Sequence, residues 1–148
     1  MSSVQVVPFK KEHLHSLLNE EINTIYKDWF EAGVAESLEM TEAVSVIEGE
    51  KVYLCGGITP YWKGRGQIWS VFSESSAENF VPVFRAIKDW LGQKLKEDYW
   101  RIEMCVDCDF EQGLRRASML GFKMENQRAE KYLPDGKDAV LYSMVRGG

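Results

Sequence analysis

The stretch from Arg101 to Phe122, RIEMCVDCDFEQGLRRASMLGF, leaves the chain few choices. Ile102, Met104 and Val106 alternate with Arg101, Glu103 and Asp107, the two-residue period of a strand with one buried face. Asp109 follows at a position suited to a helix N-cap, where a carboxylate can accept a bond from a first-turn amide. Phe110, Leu114 and Ala117 then recur at the spacing of one helical face. Gly121 stops the helix, because glycine enters the left-handed conformation without a Cβ penalty, and Phe122 folds back on the last turn. The unit is therefore strand, helix, strand.

The rest of the chain supplies elements around it. Val4 to Val7 reads as a first strand closed by Pro8. Leu14, Leu17, Leu18, Ile22, Ile25, Tyr26, Trp29 and Phe30 recur at helical spacing from Lys11 to about Ala32, with Gly33 as the stop. This is one long helix, or two broken at Asn19-Glu20-Glu21. From Ala43 the period changes. Ala43 to Glu48 and Lys51 to Thr59 form strands joined by Glu48-Gly49-Glu50, and Gly56-Gly57 marks a bulge or a close backbone approach. Pro60 to Gly66 reads as a turn-rich connection into a strand from Gln67 to Phe72. A helix follows, carried by Phe80, Phe84, Ile87, Leu91 and Leu95, with Pro82 in its first turn and Asn79 as cap, or Ser75 and Glu78 as a competing capping pair. After Phe122 come a strand towards Lys131, a turn at Asp135-Gly136 and a last strand from Ala139 to Val145.

These 148 residues make one domain, and 45% apolar content with 12% aromatic is globular. A net charge of −5 and a pI near 5.1 argue against a nucleic-acid backbone or an anionic membrane as main partner, since the balance of charge offers no basic patch to meet either. MSSVQVV lacks a basic region followed by a hydrophobic run, and no stretch approaches a membrane span, so the expected location is the cytoplasm. The odd number of cysteines, three, fits reduced thiols. Cys105 and Cys108 form a CxxC, yet a zinc site needs two more ligands, and Cys55, His13 and His15 offer no second spaced pair. Asp107 and Asp109 flank the thiols with charge that raises their pKa, against a redox role. Gly64-Arg65-Gly66 precedes a strand rather than a helix, which makes it a hairpin turn and not a phosphate loop. His13 and His15 read as solvated or partly packed histidines of the first helix.

The strand Ile102 to Val106, the helix Leu114 to Phe122 ending in LGF, and the final strand Asp135 to Val145 resemble the C-terminal half of the GCN5-related N-acetyltransferase (GNAT) superfamily. The element order matches along essentially the whole chain, and the chain resembles most the small members encoded by tailed phages. The resemblance implies an α/β (α+β) fold with a mixed, mostly antiparallel sheet of about seven strands flanked by about four helices. It also implies an acyl-CoA-dependent N-acyltransferase that binds acetyl-CoA as cosubstrate in a cleft between the fourth and fifth strands. The backbone of Trp69, Ser70, Val71 and Phe72 would pair with pantetheine, and the helix start at Ser75, Ser76 and Ala77 would hold phosphate.

Two departures stand beside that resemblance. The superfamily's pyrophosphate loop follows Gln/Arg-x-x-Gly-x-Gly/Ala, whereas Ser73 to Asn79, SESSAEN, has no glycine and no cation. The tyrosine that many members place four residues before the LGF glycine is Ala117 here, with Ser118 the adjacent hydroxyl. For the general base, Glu103 on the fifth strand and Glu74 after the fourth are the candidates. The acceptor is an amine on a small molecule or a protein, and a homodimer is compatible with this reading. The rival reading is a GNAT-like binding or structural protein without catalysis, acting on a host factor in the host cytoplasm if phage-encoded. A thiol redox protein is the third. Tyr61 and Trp62 would mark a partner surface if exposed.

Overall fold

The computed structural model describes residues 4–23, 37–39 and 41–147. Its elements are β1 (Gln5–Pro8), α1 (Lys11–Leu18), a 3-10 turn (Glu21–Asn23), β2 (Glu42–Glu48), β3 (Lys51–Trp62), β4 (Arg65–Phe72), a 3-10 helix (Glu74–Asn79), α2 (Phe80–Glu97), β5 (Arg101–Asp107), α3 (Glu111–Met119), β6 (Lys123–Ala129) and β7 (Ala139–Val145). The seven strands take the order β1-β2-β3-β4-β5-β7-β6. Among the described residues β4 and β5 run parallel, while β1–β2, β2–β3, β5–β7 and β6–β7 are antiparallel, so the sheet is mixed and mostly antiparallel as expected. Three α-helices lie among the described residues. The expected second helix, with Tyr26, Trp29, Phe30 and the Gly33 stop, falls outside them.

The chain divides into two compact units, Met1–Thr59 with Trp69–Asp89, and Pro60–Ile68 with Trp90–Gly148. In the first, β1 and β3 flank β2, with Val6 opposite Val46 and Ser45 opposite Cys55. The helical stripe of α1 buries Leu14, Leu17 and Leu18 against Phe9, Cys55 and Val71, and Trp69 meets Phe9 edge-on at 5.6 Å. α1 ends at Asn19, where the sequence has its break. His13 is partly packed, its Nδ1 lying 2.7 Å from Ser45 Oγ. Gly56 and Gly57 mark close approach rather than a bulge: a Cβ would sit 2.9 Å from the Trp69 carbonyl at one and 2.7 Å from the Glu42 carbonyl at the other. The register shift lies instead at Val46/Ile47.

The second unit is built on β5, parallel to β4 from Arg65–Arg101 to Gln67–Glu103 and antiparallel to β7 along its full length. Ile102 and Val106 are buried, while Met104 is only half-buried. α3 lies close to β5 because residue 113 is glycine: a Cβ there would stand 2.7 Å from Val106 Cγ1. The LGF ending works as expected. Gly121 has φ +97°, its amide reaches Ser118 O, the Phe122 amide reaches Ala117 O, and Phe122 is buried.

Three local expectations are corrected. Pro60, Tyr61 and Trp62 continue β3 rather than belonging to a long loop, so the hairpin turn shrinks to Lys63-Gly64; this outer strand end is exposed, where a missing proline N–H costs little. The residue before α3 is Phe110, not Asp109, and no side chain caps it; Asp107 Oδ1 instead accepts the Asp109 amide in an Asx turn. Neither Asn79 nor a Ser75–Glu78 pair caps the helix after β4. Ser73 caps a 3-10 turn that leads into α2, Asn79 donates to Glu48, and Glu78 pairs with Lys51.

Gly64 closes the β3–β4 turn at φ +89°, its carbonyl accepts the amides of Trp100 and Arg101, and a Cβ would fall 2.2 Å from the Trp100 ring. Gly64→Ala therefore combines backbone strain with displacement of an indole. It is expected to cost roughly 1–3 kcal/mol, measured as a lowered urea midpoint by tryptophan fluorescence.

Candidate functional site

The turn after β4 is the first cluster of predicted site residues. β4 delivers Val71 and Phe72 buried, and Ser73 opens the turn, buried itself, with Oγ accepting the Ser75 amide at 3.1 Å and contacting Ser75 Oγ at 2.7 Å. The Ser76 amide reaches Ser73 O, and Ser76 is buried. Ala77 and Glu74 are exposed. Trp69 and Val71 belong to the apolar cluster with α1. The Phe72 carbonyl accepts a bond at 2.7 Å from the buried Asn23 side chain.

A carboxylate that sequence reasoning passed over sits at the head of this turn. Glu20 Oε1 accepts the Glu74 amide at 2.8 Å and the Ser73 hydroxyl at 3.2 Å. Glu20 read in sequence only as part of a helix break. Its pairing spans more than fifty residues of chain, and no local pattern signals that.

Glu103, Gln67 and Cys105 form a second cluster, in the other unit. Because β4 and β5 run parallel in register, Arg65 lies beside β5 and clasps Glu103 through Nε at 2.5 Å and Nη2 at 2.9 Å. Arg101, two residues from Glu103 on the same strand face, donates a further bond at 2.5 Å and also holds Glu125. The Arg65 guanidinium beside Glu103, helped by Arg101 and opposed by partial burial, holds the carboxyl below the usual carboxylate range. That is the reverse of the upward tuning expected of a base. Arg65 also stacks over the rings of Tyr61 and Trp62 at 4.7 and 4.6 Å, and both rings are exposed as the partner-surface reading asked.

Gln67 Nε2 donates to Cys105 Sγ at 3.0 Å. Burial pushes the Cys105 thiol up, and pushes that of Cys55 up to about 12. These are poor conditions for a reactive thiolate. No group of metal ligands gathers among the described residues, and no described helix is long and apolar enough to cross a membrane.

The third position is α3. Ala117, the tyrosine position of the resemblance, is fully buried. Ser118 is exposed on α3, on a groove lining that it shares with Tyr142 of β7.

Strand order, the parallel β4–β5 pair with its helical crossover, and α3 ending in a glycine cap define the GCN5-related N-acetyltransferase fold, and solved structures bear this out. A GNAT-family acetyltransferase from Bacillus anthracis matches with a TM-score of 0.73 at 14% identity, over 100% of this chain and 98% of the other. The ribosomal L7/L12 alpha-N-protein acetyltransferase RimL, in complex with coenzyme A, matches at 0.78 and 10% identity, over 98% and 95%. A spermidine N-acetyltransferase chimera from Vibrio cholerae SpeG and hSSAT matches at 0.70 and 10% identity, over 98% and 96%. No protein-family profile and no curated protein sequence matches the chain.

The Glu103 clasp fixes a pH dependence. A carboxylate with a depressed folded pKa adds stability above its unfolded pKa and loses it as pH falls through the folded value. Glu103→Gln is expected to be about 1 kcal/mol less stable than the parent at neutral pH, the bonds being partly solvated. The gap should close below the ordinary glutamate pKa, followed by urea melts across acid pH.

Proposed function

We propose that this chain is an acyl-CoA-dependent N-acyltransferase that moves an acyl group, acetyl in the simplest case, to an amine by direct attack in a ternary complex. The observation that carries the reading is the course of β4. Its register with β5 ends at Gln67, while the strand continues through Phe72 and runs directly into the Ser73-capped turn and α2. The backbone of Trp69 to Phe72, beyond the part of β4 in register with β5, would run beside a pantetheine arm. The turn amides and the hydroxyls of Ser75 and Ser76 suit phosphate oxygens. Coenzyme A in the RimL structure and the spermidine named for the chimera support an acyl-CoA donor and an amine acceptor, on a small molecule or a protein.

In this mechanism the neutral amine attacks the thioester carbonyl, and a β4 amide stabilises the oxyanion. Collapse of the adduct expels the coenzyme thiolate, and the amine proton passes to a base. Glu74 is exposed and suits that role better than Glu103, which two guanidinium groups already occupy. With Ala117 in place of a tyrosine, the thiolate takes its proton from water. Most of the rate then comes from holding amine and thioester together.

A second reading, a GNAT-like binding protein without catalysis, is favoured by one observation: Glu20 places a carboxylate on the turn where phosphate would sit. Calorimetric titration with acetyl-CoA separates the two. The transferase reading expects saturable binding, weakened about tenfold or more by Ser75→Glu and tightened severalfold by Glu20→Gln, which removes the competing charge. It also expects thiol release when an amine panel is added. No binding at millimolar acetyl-CoA, in the parent and in Glu20→Gln alike, leaves the binding-protein reading.

A further inference from the structure

On the second unit, α3 and the strands β6 and β7 line a shallow, open groove of about 480 Å³. That volume falls within the roughly 300–1,000 Å³ of small-molecule sites. Leu114, Met119, Met124 and Val140 form its apolar lining. Val140 and Tyr142 are buried at the floor, while Met119 and Met124 stand exposed at 44% and 55%. Exposed methionines on a strand edge and a helix end are costly to leave in water, and their flexible thioethers adapt to a linear chain.

The polar groups of the groove are not equivalent. Ser118 and Tyr142 bring hydroxyl groups to the lining beside these apolar side chains. Arg115 is exposed on the lining and makes no hydrogen bond or ion pair among the described residues. It contrasts with Arg65, Arg101, Arg128 and Arg146, each of which is held by a carboxylate or by backbone carbonyls. An apolar trough with one guanidinium held by no protein group among the described residues complements an apolar chain carrying one carboxylate. Strand addition to β6 is disfavoured, because that edge carries Lys123, Glu125 and Arg128 and two irregularities in its pairing with β7.

We propose that this groove binds a medium-chain fatty carboxylate, its chain along Leu114, Met119, Met124 and Val140 and its head group on Arg115. The site shares no residue with the turn at Ser73 to Asn79, and it does not depend on the acyltransferase reading.

Calorimetric titration with decanoate, kept below its micellar range, tests this. Decanoate is expected to bind saturably to the parent and to Ser75→Glu with equal affinity. Arg115→Gln, an exposed change whose fold is checked by circular dichroism, should weaken it about tenfold or more. Decanol, the same chain without the charge, should bind the parent as weakly as decanoate binds Arg115→Gln, and Met124→Glu should abolish binding. Equal affinity of parent and Arg115→Gln, or of decanoate and decanol, overturns the proposal. So does tighter binding of a short peptide ending in leucine, or a stable dimer in which the groove takes up no decanoate.

Discussion

The packing of the Trp100 indole on Gly64 sets the geometry on which the second unit depends. Gly64 has no side chain, so the ring lies directly on its α-carbon, and its carbonyl takes the first two amides of the β5 approach. That contact puts Arg65 opposite Arg101 and fixes the parallel register through Gln67 and Glu103. A parallel neighbour cannot be reached by a tight turn, and α2 is the crossover that makes the pairing possible. With the register set, β7 closes the other edge of β5 residue by residue, and α3 settles on Val106 through Gly113.

The same register decides the electrostatics. Arg65 and Arg101 flank Glu103 from adjacent strands, and Arg101 reaches on to Glu125. A carboxylate between two guanidinium groups remains ionised and is a weak proton acceptor, whatever its distance from a substrate. In the other unit the opposite arrangement holds, where a carboxylate, Glu20, accepts the Glu74 amide and the Ser73 hydroxyl at the start of a turn. Both are charge-assisted contacts with partners well separated in sequence, and both bear directly on whether acyl transfer runs here.

Much of the fold was legible because it rests on local rules. The two-residue period of Arg101 to Asp107, the helical stripe of α1 and the glycine stop at Gly121 each act within a few residues, and each appears where the pattern puts it. The errors cluster where neighbours override composition. Pro60 reads as a loop residue, yet it extends an exposed strand end where no donor is missed. Asp109 has the chemistry of a cap, but Asp107 takes its amide first.

The candidate site was legible only as residue types. Ser73 to Asn79 announced a helix start without glycine, and Ala117 announced a missing hydroxyl. That Glu20 caps the turn, that Glu103 is clasped, and that Ser118 shares a groove lining with Tyr142 required the folded chain. By itself the sequence determined the order of the described elements and their buried faces, since periodicity and turn chemistry are properties of short segments. Tertiary structure alone decided which charges meet, because the energy of an ion pair depends on separation and burial, and the distance along the chain carries neither.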